Sequence, residues 1–208
     1  MTFSVTLLLV IITAITSVLA FNNHEMWNKG LLYPALMKDN PKEYHRFISS
    51  GFLHADWMHL IFNMYVLYGF GQANELLFKY ETGMPYMFPV MYILAIVASS
   101  LPSYFKNKDN YQYRALGASG AVSAVVFSCI YFRPWLGFQF FGIEKLEIPG
   151  IVAGIAYLVY SAWAAKRAQD NIGHDAHFYG AIFGFFFTLA IEPSHGANFI
   201  KQILNPVF

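Results

Sequence analysis

The sequence predicts an all-α membrane protein, a bundle of six transmembrane helices with a long interfacial first loop. Composition is the first reason: of 208 residues, 57% are hydrophobic and only 12% are charged, and the mean hydropathy is +0.42, which does not describe a water-facing surface. The second is length, because a hydrocarbon core of about 30 Å takes roughly 20 apolar residues at 1.5 Å each, and six runs of about that length fill most of the chain. The third is the 19% aromatic content, ample for headgroup belts of Trp and Tyr and for lipid-facing Phe.

The first segment, about 2–21, contains no charge. Ser17-Val18-Leu19-Ala20 loosely resembles a cleavage site, but no basic leader precedes it and the apolar run exceeds what a secretory signal needs, so a retained span is expected. The second, about 57–78, carries His59, Asn63 and Glu75. The third, about 84–101, opens with Pro85 and Pro89 in its first turns, where a missing N–H is tolerated best. The fourth covers about 115–132. The fifth, about 148–165, is opened by Pro149, and the sixth, about 176–191, contains His177. The connection 22–55 is far longer than usual. Its Trp27, Leu31, Leu32, Tyr33, Leu36 and Met37 interleave with Lys29, Lys38 and Lys42, which suits helical or irregular structure lying in the interface plane. No repeat or linker divides the chain, so one domain over 1–208 is expected, without a soluble sensor domain.

Thirteen Lys+Arg against twelve Asp+Glu leave a net charge of +1, which supplies no basic field for nucleic acid. The single cysteine, Cys129, has no partner for a disulfide or a thiolate metal site and reads as an apolar filler.

Alternating direction puts the starts of segments two, four and six on one face, and that face collects the polar chemistry: His54, His59 and Asn63, then Ser119, then His174 and His177. Polar and ionisable groups at membrane depth are functional candidates because hydrocarbon penalises them. Ser119 lies in Gly117-Ala118-Ser119-Gly120, where small neighbours leave its hydroxyl reachable. A serine is inert until a base takes its proton, and His177 is the best placed imidazole. Gly180 and Gly184 form a small face after His177, Gly120 and Ala124 form one after Ser119, and packing the two would bring hydroxyl and imidazole together. His59 and Asn63, at i and i+4, share a helix face and with the Ser119 N–H would make an oxyanion hole.

Each signal has a plainer reading. Gly-x-Ser-Gly in a membrane helix can be packing, lone histidines can bridge helices, and Asp175 fits an interfacial cap better than a third catalytic member. His54-x4-His59 with His174-x2-His177 also resembles paired metal ligands, which keeps a metal-dependent membrane oxygenase or hydrolase open, although Asp56 and Asp175 are the only carboxylates close by.

Taken jointly, the motifs resemble the rhomboid family of intramembrane serine proteases over about 43–191. The run His54-Ala-Asp-Trp-Met-His59-Leu-Ile-Phe-Asn63 matches the family's His, His and Asn spacing; Gly71 and Glu75 match the end of the same helix; Gly117 to Gly120 is its Gly-x-Ser-Gly; Ala176, His177, Gly180 and Gly184 match its last core helix. The resemblance implies a six-helix core with a Ser119/His177 dyad, no acidic third member and no cofactor or metal. It further implies oxyanion stabilisation by His59, Asn63 and the Ser119 amide, support from His54, Gly117, Gly120, Gly180, Gly184, Glu75 and Arg46, and transmembrane proteins as substrates. The first loop departs from relatives with a Trp-Arg pair, having His45-Arg46, and Ser123 stands where some relatives place a tyrosine that stacks on the catalytic histidine. That leaves the imidazole to be held by another group, with Phe178 and Tyr179 the candidates.

Nine basic residues, Lys29, Lys38, Lys42, Arg46, Lys106, Lys108, Arg114, Lys166 and Arg167, fall in loops one, three and five, which charge counting would place in the cytoplasm. The family orientation is opposite, opening the site away from the cytoplasm, and it is the expectation adopted, with a bacterial inner membrane as the location. An inactive rhomboid-like helix-binding protein is the non-enzymatic alternative, and retention of both Ser119 and His177 argues against it.

Overall fold

The computed structural model describes residues 4–139, 147–167 and 174–206, and within them the chain is mostly helical. α1 (Val5–Phe21) starts where the Ser4 hydroxyl accepts the Leu7 N–H. The first connection folds into α2 (His24–Gly30), α3 (Pro34–Met37), a 3₁₀ turn over Pro41–His45, α4 (Arg46–Ser49) and a second 3₁₀ turn, Ser50–Phe52. Such short pieces suit a segment with no continuous apolar face of its own. α5 (Trp57–Glu81) is capped by Asp56, whose carboxylate accepts the His59 N–H at 2.8 Å. α6 (Met87–Asn107), α7 (Ser119–Phe132), α8 (Gly150–Arg167), α9 (His174–Ile191) and α10 (His195–Leu204) follow.

α7 lies at the centre. It is buried over nearly its whole length and touches α5, α6, α8 and α9, while α1 packs on the outside of α5. α1 reverses the pattern of a water-soluble helix: Thr6, Thr13 and Ser17 are buried, whereas Leu7, Ile11, Ile15 and Leu19 are exposed. Apolar side chains facing out and hydroxyls facing in are what a hydrocarbon solvent selects. Gly71 permits the α1–α5 contact, because a Cβ there would lie 2.6 Å from Thr6 Cγ2. One turn on, the Glu75 carboxylate accepts the Thr6 N–H and the Ser4 hydroxyl at 2.5 and 2.9 Å, closing the start of α1.

Among the described residues, one helix, α6, is long and apolar enough to cross a membrane by length and composition; α1, α7 and apolar stretches of α8 and α9 are shorter. α5 has the length, at 25 residues, but interrupts its apolar run with His59, Asn63, Asn74, Glu75 and Lys79.

Several expected boundaries need correction. The fourth helix begins at Ser119 rather than near Ala115, because Ala115 is drawn into an antiparallel bridge with Leu32 and Gly117, at φ 125°, breaks the helical path. The third runs past Leu101 to Asn107 with Pro102 inside it, carried across the missing N–H by tertiary packing such as the Tyr104 ring against Phe47. The fold is not purely helical either: β1 (Gly137–Gln139) pairs antiparallel with β2 (Glu147–Pro149), Phe138 opposite Ile148. α10, beyond the last expected span, fastens to the end of α7 through the His195 ring and the Gln202 amide on the Phe132 carbonyl at 3.1 and 3.3 Å, and to the turn after α7 through the Trp135 indole N–H on the Gln202 carbonyl at 2.6 Å.

Candidate active site

Helix packing builds this site. A Cβ on Gly180 would stand 2.0 Å from the Gly120 carbonyl oxygen, and one on Gly184 2.1 Å from that of Ala124, so α9 lies directly on the α7 backbone. Gly120 is pressed from the other side by Ser99 of α6, whose Oγ would be 2.3 Å from an added Cβ. These are the two small faces read from the sequence. Their contact sets Ser119 Oγ 2.6 Å from His177 Nε2, with His177 buried. The hydroxyl donates to that nitrogen, which places the imidazole proton on Nδ1.

Ser119 is the first residue of α7, so its amide and the next two lack partners within the helix. The positive φ of Gly117 turns the chain into this helix start, and the position has a second requirement: a Cβ there would meet His59 Cε1 at 2.8 Å and lie 3.7 Å from Ser119 Oγ. The His59 ring therefore stands beside the serine hydroxyl across a space only glycine leaves open. The buried Asn63 donates one amide N–H to the His59 carbonyl at 2.9 Å and carries a second.

His54 acts on the backbone rather than on the hydroxyl. Ser17 Oγ donates to the Phe52 carbonyl at 2.9 Å and accepts from His54 Nδ1 at 2.9 Å, which leaves Nε2 facing the Ala118 N–H at 3.5 Å. Its ring also meets His59 edge-on, centroids 4.9 Å apart. Burial pushes the His54 imidazole down to about 3, with His59 adding to the effect and Asp56 opposing it. Two further contacts pin the same stretch: Leu32 and Ala115 exchange backbone hydrogen bonds at 3.0 and 3.1 Å, and the Gly117 N–H donates to the Ser50 carbonyl at 2.9 Å.

Arg46 is buried within the first connection. Its guanidinium donates to Glu43 at 2.5 Å and to the Asn28 and Leu31 carbonyls at 2.8 Å each, while the His45 ring meets the Lys42 and Lys29 carbonyls. Asp175 pairs with Lys106 at 2.9 Å, tying the end of α6 to the start of α9. Cys129 is buried but is more than filler, since the Asn74 amide donates to its sulfur and to the Val125 carbonyl, each at 2.8 Å. A metal reading would need His174, whose side chain lies outside the described residues; among those residues no three metal-ligating side chains converge.

Sequence reasoning missed Tyr157. Its ring, from α8, stacks on His177 with centroids 5.8 Å apart and planes at 25°, and its hydroxyl meets Ser123 Oγ at 2.8 Å. The one sequence signal was Gly154, three residues earlier on the same helix face, where a Cβ would come within 2.7 Å of Ile130 Cδ1.

The Rhomboid domain family matches residues 41–193. RHOMBOID-like protein 12, mitochondrial, of Arabidopsis thaliana is 29% identical over 173 residues, covering 77% of this chain and 50% of its own length. Rhomboid protease GluP of Bacillus subtilis is 26% identical over 165 residues, covering 79% of this chain and 29% of its own. The chain thus spans half the length, or less, of these curated relatives.

Proposed function

The chain belongs to the rhomboid family and is a membrane protein, and from that premise we propose that it is an intramembrane serine endopeptidase with Ser119 as nucleophile and His177 as base. One observation carries the reading: Ser119 Oγ and His177 Nε2, 58 residues apart in sequence, lie 2.6 Å apart at the junction of two helices that glycines allow to touch. In this reading α1, α5, α6, α7, α8 and α9 are the six spans, the site opens away from the cytoplasm of a bacterial inner membrane, and the substrates are membrane-anchored proteins cut in or near their transmembrane segments. Peptide bonds of an intact helix are shielded and hydrogen-bonded, so local unwinding of the substrate precedes attack and makes helix-breaking residues the selective feature.

The chemistry needs no cofactor. Ser119 Oγ attacks the scissile carbonyl carbon as His177 Nε2 takes its proton. Charge develops on the carbonyl oxygen, where the unpartnered Ser119 N–H, the His59 ring and the second N–H of Asn63 supply donors at a helix start whose dipole favours negative charge. His177 then protonates the leaving amine, and water with the same base hydrolyses the acyl-enzyme.

The test is cleavage of a model transmembrane substrate together with labelling by a fluorophosphonate. Ser119→Ala and His177→Ala each abolish cleavage while the protein still inserts, and Ser119→Ala loses the label. Full activity in either variant ends the proposal.

A further inference from the structure

His177 needs more than proximity to Ser119. The outer torsion of a histidine side chain is broad, so an imidazole on α9 can swing its Nε2 away from the serine unless something bounds the ring face. Tyr157 supplies that bound, nearly parallel at 5.8 Å. It comes from neither the base's helix nor the nucleophile's.

Hydrogen-bond direction shows how Tyr157 is itself fixed. Ser123 Oγ donates to the Ser119 carbonyl at 2.7 Å, which commits its only proton, so the Tyr157 hydroxyl is the donor in the 2.8 Å contact with Ser123 Oγ. The contacts close a circuit from Ser119 Oγ to His177, to Tyr157, to Ser123 and back to the Ser119 carbonyl. α8 reaches this circuit because Gly154 lets it settle on Ile130 and Phe127 of α7, one turn from Tyr157.

We propose that Tyr157, held by Ser123, is a positioning residue for His177, so that the seating of α8 on α7 determines whether the imidazole faces Ser119. Any withdrawal of α8 from α7 carries the ring off the base. The inference rests on the dyad reading above and adds the element that controls it.

The experiment uses the full chain in detergent and in bilayers, with kcat and KM for a model transmembrane substrate, the rate of fluorophosphonate labelling, and the melting temperature. Tyr157→Ala lowers kcat and the labelling rate together by about 10- to 100-fold, the scale of losing orientation at a reacting group, with KM within about twofold. Tyr157→Phe keeps the ring and recovers most of that loss. Ser123→Ala and Tyr157→Phe each cost less than Tyr157→Ala, and their combination is no worse than the larger single effect, as expected for two ends of one contact. Wild-type kcat and labelling in Tyr157→Ala overturn the proposal, and so does full additivity of Ser123→Ala with Tyr157→Phe. A wild-type chain that neither cleaves nor labels refutes the dyad itself, which separates the two failures.

Discussion

Replacing Gly180 with alanine puts one methyl group into the α7–α9 contact. The new Cβ stands 2.0 Å from the Gly120 carbonyl oxygen, where ordinary contact begins near 3.4 Å, and the obstacle is backbone rather than a flexible side chain. α9 must therefore withdraw by roughly 1.4 Å at that turn, an overpacking that costs about 1–3 kcal/mol of stability. His177 lies three residues earlier on the same helix, so its 2.6 Å contact with Ser119 stretches to about 4 Å, beyond hydrogen-bond reach. A misplacement of about 1 Å in a reacting pair can cost on the order of 100-fold in rate. Cleavage of a transmembrane reporter by Gly180→Ala is expected to fall by that factor, with a lower melting temperature. Gly69→Ala is the control: no atom lies within 4 Å of its Cβ, and alanine is favoured in a helix interior by about 1 kcal/mol, so this variant keeps its rate and melts no lower. Gly180→Ala cleaving within about threefold of wild type would refute the close α7–α9 approach as the source of the site's geometry.

Two further outcomes follow from contacts away from the dyad. Asp175→Asn removes a partly exposed pair with Lys106, worth about 0.2–1 kcal/mol; cleavage should stay within about twofold, whereas a ten-thousandfold loss would reveal a triad acid. His54 sets a pH dependence: its folded value of about 3 lies below the ordinary 6.5, so the unfolded chain takes up the proton first as pH falls. Its contribution to stability is complete above pH 6.5 and is lost through the window down to 3, at about 1.4 kcal/mol per unit. Thermal unfolding in detergent at pH 7 and pH 4.5 should show a smaller pH difference for His54→Ala than for wild type, and equal differences would rule this out.

What the sequence discloses and what it hides divide along a physical line. The approach of Ser119 to His177 was legible because small residues at helical spacing, Gly120 with Ala124 and Gly180 with Gly184, mark faces where backbones can touch, a constraint local to each helix. Gly71 and Glu75 were legible as a pair, but that they dock and cap α1 depends on a partner some seventy residues away. Tyr157 was hidden for the same reason: Ser123 leaves room for a ring, but nothing in α7 says which helix supplies it. The start of α7 was misjudged because Ala115 and Gly117 belong to an apolar run, and only their partners Leu32 and Ser50 make that run extended. Pro102 misleads in the opposite sense, since packing around Tyr104 keeps α6 helical beyond it.

The tie between Leu32 and Ala115, with Ser50 on Gly117 and His54 on Ala118, makes two distant stretches of chain one cooperative unit. Fluctuations that open the folded segment between α1 and α5 are shared at once by the residues that aim the serine. Hydrogen exchange at Gly117 and at Leu32 should thus report a single opening equilibrium, and the lifetime of an aligned alcohol is bounded by how long that distant tether stays closed.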